Sequence, residues 1–362
     1  MDLQTLLNQD LANLSFDINS FMPGSLFDPE TGQLKDKQDA SFYIHQFWGL
    51  YQSNEDTLSN LFDLGKIIHT ILKPFLVHHP DLFWDIYANV YKNLWMLTPY
   101  KELQQRVFEV LNVSAQDTIL NLGCGTGPLE EMMRHAGMLS DCTVHSIDNS
   151  TSMLKIAQEN LSSDSFPDLH FHHADLQKTL SCVPENLKFD KINCTNVLGF
   201  LNNPTFLVHE MRRLLKIGGK AVITLPKKGY VNGYVFMEHC QDTDKSFWTG
   251  TSLIDYINMI KRAFPEKGLG NFNFLLIAVC NQILAALPCD GISYAPTESE
   301  LISLFEENGF RVRLSELVYA QQNHLLEVTK LKDEIIIEKI DHTDKRHPEI
   351  SSLVKKVYDK EL

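Results

Sequence analysis

The sequence has little positive charge for its length, and this shortage limits the partners that it can bind. It contains 32 Lys and Arg against 46 Asp and Glu among 362 residues, a formal net charge of −14. No cluster of Lys and Arg is dense enough to follow a phosphate backbone. We therefore expect no nucleic-acid partner and a small molecule as the substrate.

Paired cysteines and long apolar runs are lacking as well. The seven cysteines are scattered and none belongs to a C-x-x-C pair, which argues against zinc ribbons and disulfide scaffolds. The longest apolar run, residues 272–288, is too short and too interrupted to span a bilayer. Acidic residues stand at the start of the chain, where a signal peptide requires basic ones. We therefore predict a cytoplasmic protein with no stable membrane insertion.

The histidines do not form a recognisable metal site. His170, His172 and His173 lie on and around one expected strand, but no nearby carboxylate or cysteine completes a ligand set. We therefore predict no metal ion.

The composition of the sequence and the spacing of its apolar residues change along the chain and divide it into segments. They are an irregular N-terminal segment (1–40), an aromatic-rich helical cap (41–115), a core (116–226), a substrate-side insertion or lid (227–296), the final helix and strands of the core (297–330) and a charged C-terminal tail (331–362). Within the core, short β-branched or apolar runs alternate with helix-period stretches. Such alternation is typical of βαβ units and a parallel sheet.

The alternating segment predicts the elements of this sheet. The expected strands cover residues 117–122, 143–148, 169–174, 189–195 and 220–225, and two more fit residues 310–319 and 324–330. We therefore predict an α/β fold with a Rossmann-like, seven-stranded, mostly parallel sheet. Helices are expected on both faces, with an N-terminal helical segment and an insertion after the fifth strand.

Two helices have clear sequence signals. One begins at Pro128, and the spacing of its apolar residues places one face on the sheet: Leu129, Met132, Met133 and Ala136. The other begins after Thr297, which forms a capping box with Glu300.

The stretch TILNLGCGTGPLEEMM, residues 118–133, contains three alternating glycines between an expected strand and an expected helix. A glycine turn lets a ligand approach the backbone, and the helix that follows offers unpaired N–H groups. The dinucleotide fingerprint GxGxxG would need a third glycine at position 128, which is Pro128. The turn therefore predicts a ligand site, but not a dinucleotide site.

Two acidic residues follow neighbouring strands of the predicted sheet. Asp148 ends the second strand, where a carboxylate suits both ribose hydroxyls of an adenosine. Asp175 follows the third strand, where it can meet the exocyclic amine of adenine while Met153 and Leu176 cover the ring faces. The spacing therefore indicates an adenosine-containing ligand.

These stretches resemble the class I S-adenosylmethionine-dependent methyltransferases. ILNLGCGTG is similar to the family's glycine-rich motif, VHSIDNS to its acidic loop and HHADL to its adenine-contacting segment. FDKINCTNVLGFLNNPTFLVHEMRRLLKIGGKAVIT is similar to the run from its fourth strand to its fifth. The resemblance covers about residues 117–226 and resumes at 297–330. It implies S-adenosylmethionine as the cofactor and the following residues as its ligands: Tyr100, Asn121, Gly123, Cys124, Gly125, Gly127, Asp148, Asn149, Met153, Asp175, Leu176, Thr195 and Asn196.

Asn121 departs from the pattern of the family, which usually has Asp or Glu at this position. The amide keeps a hydrogen-bond acceptor but lacks the charge that would face the methionine ammonium. The expected loss of binding free energy is about 1–2 kcal/mol, the difference between charged and neutral hydrogen bonds. Tyr100 has an alternative role as a packed residue of an amphipathic helix.

Methyl transfer makes modest demands on the protein, because positioning a nucleophile in line with the methyl group and excluding water supply most of the rate. Residues that act on the substrate are expected from the insertion and the aromatic cap. The candidate catalytic residues are His239, Glu238, His45 and Tyr230, with His239 first because an acid precedes it.

Positive charge follows the fifth strand, in a chain that otherwise has little of it. Lys227 and Lys228 are candidate ligands for a phosphate or carboxylate of the substrate, and a solvated loop is the alternative. Tyr234 is a further candidate substrate ligand. The apolar run 272–288 fits three roles: core, a lid over a hydrophobic substrate, or the face of a homodimer.

Three functions are compatible with these residues. The first is methylation of an oxygen, carbon or nitrogen atom of a small, hydrophobic and potentially anionic metabolite. The second is methylation of a protein or nucleic acid by the same fold, which the acidic charge disfavours. The third is a protein that binds S-adenosylmethionine without catalysis, for which Asn121 is the indication.

Overall fold

The computed structural model describes residues 81–161, 166–184, 186–265, 277–282 and 294–332. The helices are α1 (Asp81–Tyr91), α2 (Thr98–Leu111), α3 (Pro128–His135), α4 (Thr151–Leu161), α5 (Pro204–Leu214), α6 (Gly233–His239), α7 (Leu253–Ala263) and α8 (Glu298–Glu307). The strands are β1 (Thr118–Leu122), β2 (Thr143–Asp148), β3 (Leu169–His173), β4 (Phe189–Thr195), β5 (Leu215–Pro226), β6 (Phe310–Val318) and β7 (Asn323–Lys330). His45 lies outside the described residues, so its predicted role stays a prediction.

The strands form one sheet in the order β3-β2-β1-β4-β5-β7-β6. Strands β1 to β5 pair in parallel, whereas β7 is antiparallel to both β5 and β6. The predicted seven-stranded, mostly parallel sheet is thereby confirmed. The order reverses between β1 and β4, and ligands of open sheets bind beyond the carboxyl ends of the strands at such a reversal.

Helices cover both faces of the sheet because successive strand residues point to opposite sides. On β1, Ile119 packs with α2, α3 and α4, whereas Leu120 packs with α5 and α8. Each fully buried aliphatic side chain contributes about 1.5–3 kcal/mol of transfer free energy. The predicted capping box is present at α8, where the Thr297 side chain accepts from the Glu300 backbone and the Glu300 carboxylate accepts from the Thr297 backbone.

The predicted apolar face of α3 is only partly correct. Leu129 and Met133 are buried, but Ala136 is exposed because the helix ends at His135. Glu130, in the first turn, is buried with 0% exposure. The face that packs on the sheet therefore includes a carboxyl group that apolar periodicity does not reveal.

The contacts divide the described residues into two units. The first unit contains residues 81–100 with 231–265 and 277–282, and the second contains the sheet and its helices. The boundary lies at residue 100 rather than at 115, because the part of α2 from Lys101 onwards packs on the sheet through Leu103 and Val107.

The first unit is organised around Trp248, which has 0% exposure. Its indole N–H donates to Asp242 Oδ2 at 2.9 Å, and Arg262 forms an ion pair with the same oxygen at 2.6 Å. The Arg262 guanidinium also lies 4.8 Å from the centre of the Phe247 ring. The insertion after β5 therefore has its own packed centre.

Part of the apolar run 272–288 is described, and that part is helical. Residues 277–280 are buried, with exposures of 0–2%, which supports the core role for this portion. Within the residues that the structure describes, no helix combines the length and apolar composition needed to cross a bilayer.

Three histidines pack side by side on β2 and β3. His145 Nδ1 lies 2.9 Å from His172 Nε2 with the rings parallel, and the His170 ring centre is 4.7 Å from that of His145. Burial, followed by the neighbouring His172 and His170, lowers the pKa of His145 to about 4. His145 is therefore neutral at physiological pH, and in the described part of the chain no group of three His, Cys, Asp or Glu residues is arranged to hold a metal ion.

The low pKa of His145 predicts that the free energy of unfolding falls in acid. An unfolded His titrates near 6.5, so the unfolded chain binds the extra proton between pH 6.5 and about 4 and stability declines as the pH falls through that window. Between pH 7 and 5 we expect a loss on the order of 1–2 kcal/mol, measured by urea unfolding. His145→Phe should remove most of this loss, whereas the exposed His209→Phe should not. An unchanged acid sensitivity in His145→Phe would contradict the assignment.

The turn between β1 and α3 requires glycine for internal packing. Gly123 has a φ of +69°, and a Cβ there would lie 2.1 Å from Val197 Cγ2. Gly127 has a φ of +83°, and its Cβ would lie 3.2 Å from Leu161 Cδ1. These glycines are therefore needed by the fold itself, in addition to any role towards a ligand.

Substitution of Gly123 should cost more stability than substitution of a glycine in open space. Gly137 has a similar φ of +71° and nothing within 4 Å of a built Cβ, so Gly137→Ala should cost about 1 kcal/mol. We expect Gly123→Ala to cost about 2–4 kcal/mol in urea unfolding, because the clash adds to the backbone strain. Val197→Ala in the same chain should recover most of the difference. Equal losses at the two glycines would rule out the packing role.

Candidate functional site

The glycine turn is held against the carboxyl end of β2 by backbone hydrogen bonds. The N–H groups of Gly123 and Cys124 both donate to the carbonyl oxygen of Ile147, at 2.8 and 3.0 Å. The turn therefore lies at the carboxyl ends of β1 and β2, beside the reversal of strand order, which is where the sequence predicts a ligand.

Asp148 fixes the other side of the turn. Its Oδ2 accepts from the Gly125 N–H at 2.8 Å and its Oδ1 accepts from the Ser150 N–H at 2.9 Å. The residue is 9% exposed. A carboxylate at this position suits ribose hydroxyls, because each of its oxygens can accept more than one hydrogen bond. Ribose binding by Asp148 stays a prediction.

The residues predicted around adenine lie at the neighbouring strand end. Met153 and Leu176 are buried, with exposures of 2% and 5%. Asp175 is half-buried, its Oδ1 accepts from the Gln177 N–H at 2.9 Å, and Asn149 is exposed. Leu176 also belongs to the sheet core, so part of its surface is committed to packing.

A chain of hydrogen bonds crosses the face of β4, β1 and β2. Thr195 Oγ1 donates to Asn193 Oδ1 at 2.8 Å, and Asn193 Nδ2 donates to Asn121 Oδ1 at 2.8 Å. Asn121 Nδ2 donates to Glu130 Oε1 at 2.7 Å, and the Ser146 hydroxyl donates to the same oxygen. Both polar atoms of the Asn121 side chain are therefore engaged within the protein.

Glu130 is the residue that the sequence interpretation missed. Burial, which outweighs its hydrogen bonds with Ser146 and Asn121, raises the pKa of this carboxyl. Its Oε2 is buried and has no hydrogen-bond partner among the described residues. The absence of charge at Asn121 was the signal that could have directed attention to a nearby acid.

A second polar group follows β4. Asn196 has a φ of +57°, unusual for a residue other than glycine. Its Oδ1 accepts from Thr224 Oγ1 at 3.0 Å and from Asn323 Nδ2 at 2.6 Å. Asn323, on the antiparallel strand β7, was not singled out by the sequence because its approach depends on strand order.

The candidate base His239 is oriented by the start of α2. The Thr98 backbone N–H donates to His239 Nδ1 at 3.2 Å. The neutral ring therefore carries its proton on Nε2, and neither nitrogen retains a free lone pair for a substrate proton. Glu238 is exposed. This geometry does not favour His239 as a general base.

The aromatic candidates lie in different surroundings. Tyr100 is 1% exposed and makes edge contacts with Tyr91 and Trp95, at ring-centre distances of 6.1 and 5.6 Å. Tyr234 has Lys245 Nζ 5.7 Å from its ring centre. Tyr230 is half-buried at the end of the sheet unit, where its N–H donates to Lys227 O. Tyr100 is therefore packed as the alternative interpretation expects, and its predicted contact with the cofactor stays a prediction.

The two lysines after β5 are fixed through their backbone. The Lys227 N–H donates to Gln322 O and the Lys228 N–H donates to Pro296 O, each at 3.0 Å. Lys228 is exposed, and the pKa of Glu300 is lowered mainly by hydrogen bonds from Thr297 and to a smaller extent by the charge of Lys228.

The residues present fit S-adenosylmethionine on two observations. The turn places half-buried glycine backbone beside a carboxylate, at Gly125 and Asp148. A second carboxyl, that of Glu130, has a buried oxygen without a donor in the described part of the chain. A hydroxylated sugar suits the first group, and a cation suits the second.

Curated relatives share part of this sequence. The chain is 29% identical over 125 residues to the malonyl-[acyl-carrier protein] O-methyltransferase of Halalkalibacterium halodurans, a segment that covers 33% of this chain and 45% of that protein. It is 31% identical over 101 residues to the ubiquinone biosynthesis O-methyltransferase of Paracidovorax citrulli, covering 28% of this chain and 40% of that protein. The chain thus spans less than half the length of these two relatives.

A solved structure and a family model complete the comparison. The S-adenosylmethionine-dependent methyltransferase from Aquifex aeolicus is 16% identical, covers 68% of this chain and 98% of that one, and has a TM-score of 0.41. A family model described as a methyltransferase domain matches residues 114–309. Because this match spans more than half of the 362 residues, the chain belongs to the methyltransferase domain family, whose methyl donor is S-adenosylmethionine.

Proposed function

We propose that this protein transfers a methyl group from S-adenosylmethionine to a small hydrophobic metabolite. One observation carries the proposal: three features meet where the strand order reverses. They are the glycine turn, the Asp148 carboxylate bonded to that turn, and the hydrogen bonds that join Asn193, Asn121 and Glu130. Open sheets bind ligands at this place. The arrangement offers acceptors for an adenosine and negative charge for a cationic amino acid.

Each predicted ligand has a distinct task in this proposal. Asp148 would hold the ribose, Asp175 the adenine amine, and the backbone of Gly123 to Gly127 the amino-acid end. Thr195 and Asn196, at the carboxyl end of β4, would lie near the methyl group. When bound, the cofactor supplies an activated methyl group on a sulfonium.

Catalysis would depend on orientation and exclusion of water rather than on a dedicated base. His239 already accepts a hydrogen bond at Nδ1, so it is a poor proton acceptor. Positioning the two reactants in line supplies up to about 7–11 kcal/mol of the barrier reduction. An acceptor that is acidic enough to be ionised in the site would need no base.

An oxygen atom is the acceptor that the comparisons support. The two relatives described above are both named as O-methyltransferases, one for ubiquinone biosynthesis and one for a malonyl group on a carrier protein. The high density of aromatic residues in the sequence between 41 and 100 supports a hydrophobic substrate, and Lys227 and Lys228 support an anionic group on it. We therefore propose a hydrophobic phenol or carboxylic acid as the acceptor class.

Methyl transfer can be tested with a deuterated methyl donor and fractionated cell extract. We expect the label in a small hydrophobic product, detected by mass spectrometry. Asp148→Asn should raise the Kd of S-adenosylhomocysteine by about tenfold or more, since a charge-assisted hydrogen bond is lost. The exposed Asp141→Asn serves as the matched control and should leave the Kd unchanged.

The other outcomes of that experiment separate the alternatives. Label in protein or nucleic acid would favour a macromolecular substrate. Cofactor binding without turnover on any extract would favour a non-catalytic binding protein. If the wild-type chain bound neither S-adenosylmethionine nor S-adenosylhomocysteine at millimolar concentration, the proposed function would be wrong.

The two lysines after β5 should affect the acceptor more than the cofactor. With the labelled acceptor in hand, Lys227→Glu/Lys228→Glu should raise its KM by about tenfold, because reversed charges repel an anionic group. The Kd of S-adenosylhomocysteine should change by less than about twofold. The control is Lys155→Glu/Lys261→Glu, which reverses two exposed lysines elsewhere. Equal small effects of both double variants on KM would remove Lys227 and Lys228 from the substrate site.

A further inference from the structure

Glu130 is buried in a way that leaves one of its oxygens without a donor. The residue has 0% exposure, and its Oε1 accepts from Asn121 Nδ2 at 2.7 Å and from the Ser146 hydroxyl. Its Oε2 is buried and has no hydrogen-bond partner among the described residues. An unpaired buried carboxyl oxygen costs stability, and a positive charge that binds nearby offsets part of this cost.

This oxygen lies directly against the glycine turn. A Cβ built on Gly127 would be 3.6 Å from Glu130 Oε2, so the bare backbone of the turn is adjacent to the carboxyl. Beyond the effect of burial, the charges of Glu130 and Asp148 both raise the pKa of the Cys124 thiol, in the middle of the turn. The turn therefore lies between two carboxyl groups.

Asn121 connects this carboxyl to the end of β1. Its amide donates to Glu130 Oε1 and accepts from Asn193, so its orientation is determined on both sides. Asn121 itself is neutral, but its hydrogen bond to the Glu130 carboxyl group polarises its amide and makes the amide oxygen a stronger acceptor. Low local dielectric strengthens such charge-assisted bonds.

We propose that Glu130 supplies the negative charge that Asn121 lacks, and that it orients the cationic amino-acid end of the methyl donor through Asn121 and the turn. This inference rests on the cofactor of the proposed function. S-Adenosylmethionine carries an ammonium and a sulfonium, and the carboxylate of Glu130 stabilises this charge without direct contact. Glu130 is thus a positioning residue.

Calorimetry with two ligands tests this role. S-Adenosylhomocysteine has the amino-acid end, whereas methylthioadenosine has the same adenosine and a thioether but no amino acid. Glu130→Gln should raise the Kd of S-adenosylhomocysteine about tenfold and change that of methylthioadenosine by less than about twofold, since only the first ligand has the ammonium. Glu131→Gln, the same change at the adjacent position, should leave both Kd values unchanged.

An exchange of charges provides the second variant. In Asn121→Asp/Glu130→Gln the carboxylate and the amide trade places, so a hydrogen bond between the two side chains is retained. We expect the Kd of S-adenosylhomocysteine to return to within about threefold of the wild-type value. If Glu130→Gln alone does not fold, the Kd values of this double variant test the role of Glu130 instead.

Three results would overturn the role of Glu130. They are equal effects of Glu130→Gln on both ligands, no effect on either, or loss of folding in both variants, each of which would make Glu130 purely structural. These results differ from a failure of the proposed function, in which the wild-type protein binds neither ligand.

Discussion

The site depends on a glycine turn in which two positions have no room for a side chain. Between β1 and α3, Gly123 and Gly127 adopt positive φ angles where a Cβ would meet Val197 or Leu161. Hydrogen bonds to Ile147 and Asp148 hold the turn to the end of β2. These glycines therefore serve the packing of the protein, and the turn that contains them lies at the edge where open sheets bind ligands.

Charge is distributed around this turn in an unusual way. The family pattern places an acid at the end of β1, but this chain has Asn121 there and an acid nine residues further along, at Glu130 in the first turn of α3. The carboxyl is buried and bonded to the amide, so the polar network is preserved although the charge has moved. Asp148 remains the acid at the end of β2, where its carboxylate is bonded to the turn.

The unit formed by residues 81–100 and the described residues from 231 to 282 has its own centre, and its chemistry differs from that of the sheet. Asp242 accepts a hydrogen bond from Trp248 and forms an ion pair with Arg262, and the Arg262 guanidinium also lies over the Trp248 ring. Its one histidine in a candidate catalytic position, His239, uses Nδ1 to accept from the backbone of Thr98.

The sequence by itself determined the order of the elements and the place of the glycine turn. Short β-branched or apolar runs located the strands closely, as at Thr143–Asp148, because a strand that is buried on both faces needs such residues along its whole length. The start of β5 at Leu215 was not predicted, since a strand that directly follows a helix leaves no turn signal. The glycine spacing indicated a ligand site and excluded a dinucleotide without reference to any other element.

Only the tertiary structure decided how polar side chains distant in sequence are connected. Three contacts depend on which strands and helices lie side by side: the bond from Asn121 to Glu130, the bond from Asn323 to Asn196 and the close approach of the His145 and His172 ring nitrogens. Apolar periodicity treats Glu130 as a surface residue, because a charged side chain is rarely buried unless hydrogen bonds are present to receive it. Those donors come from β1 and β2, and their positions follow from the strand order rather than from the residues near Glu130 in the sequence.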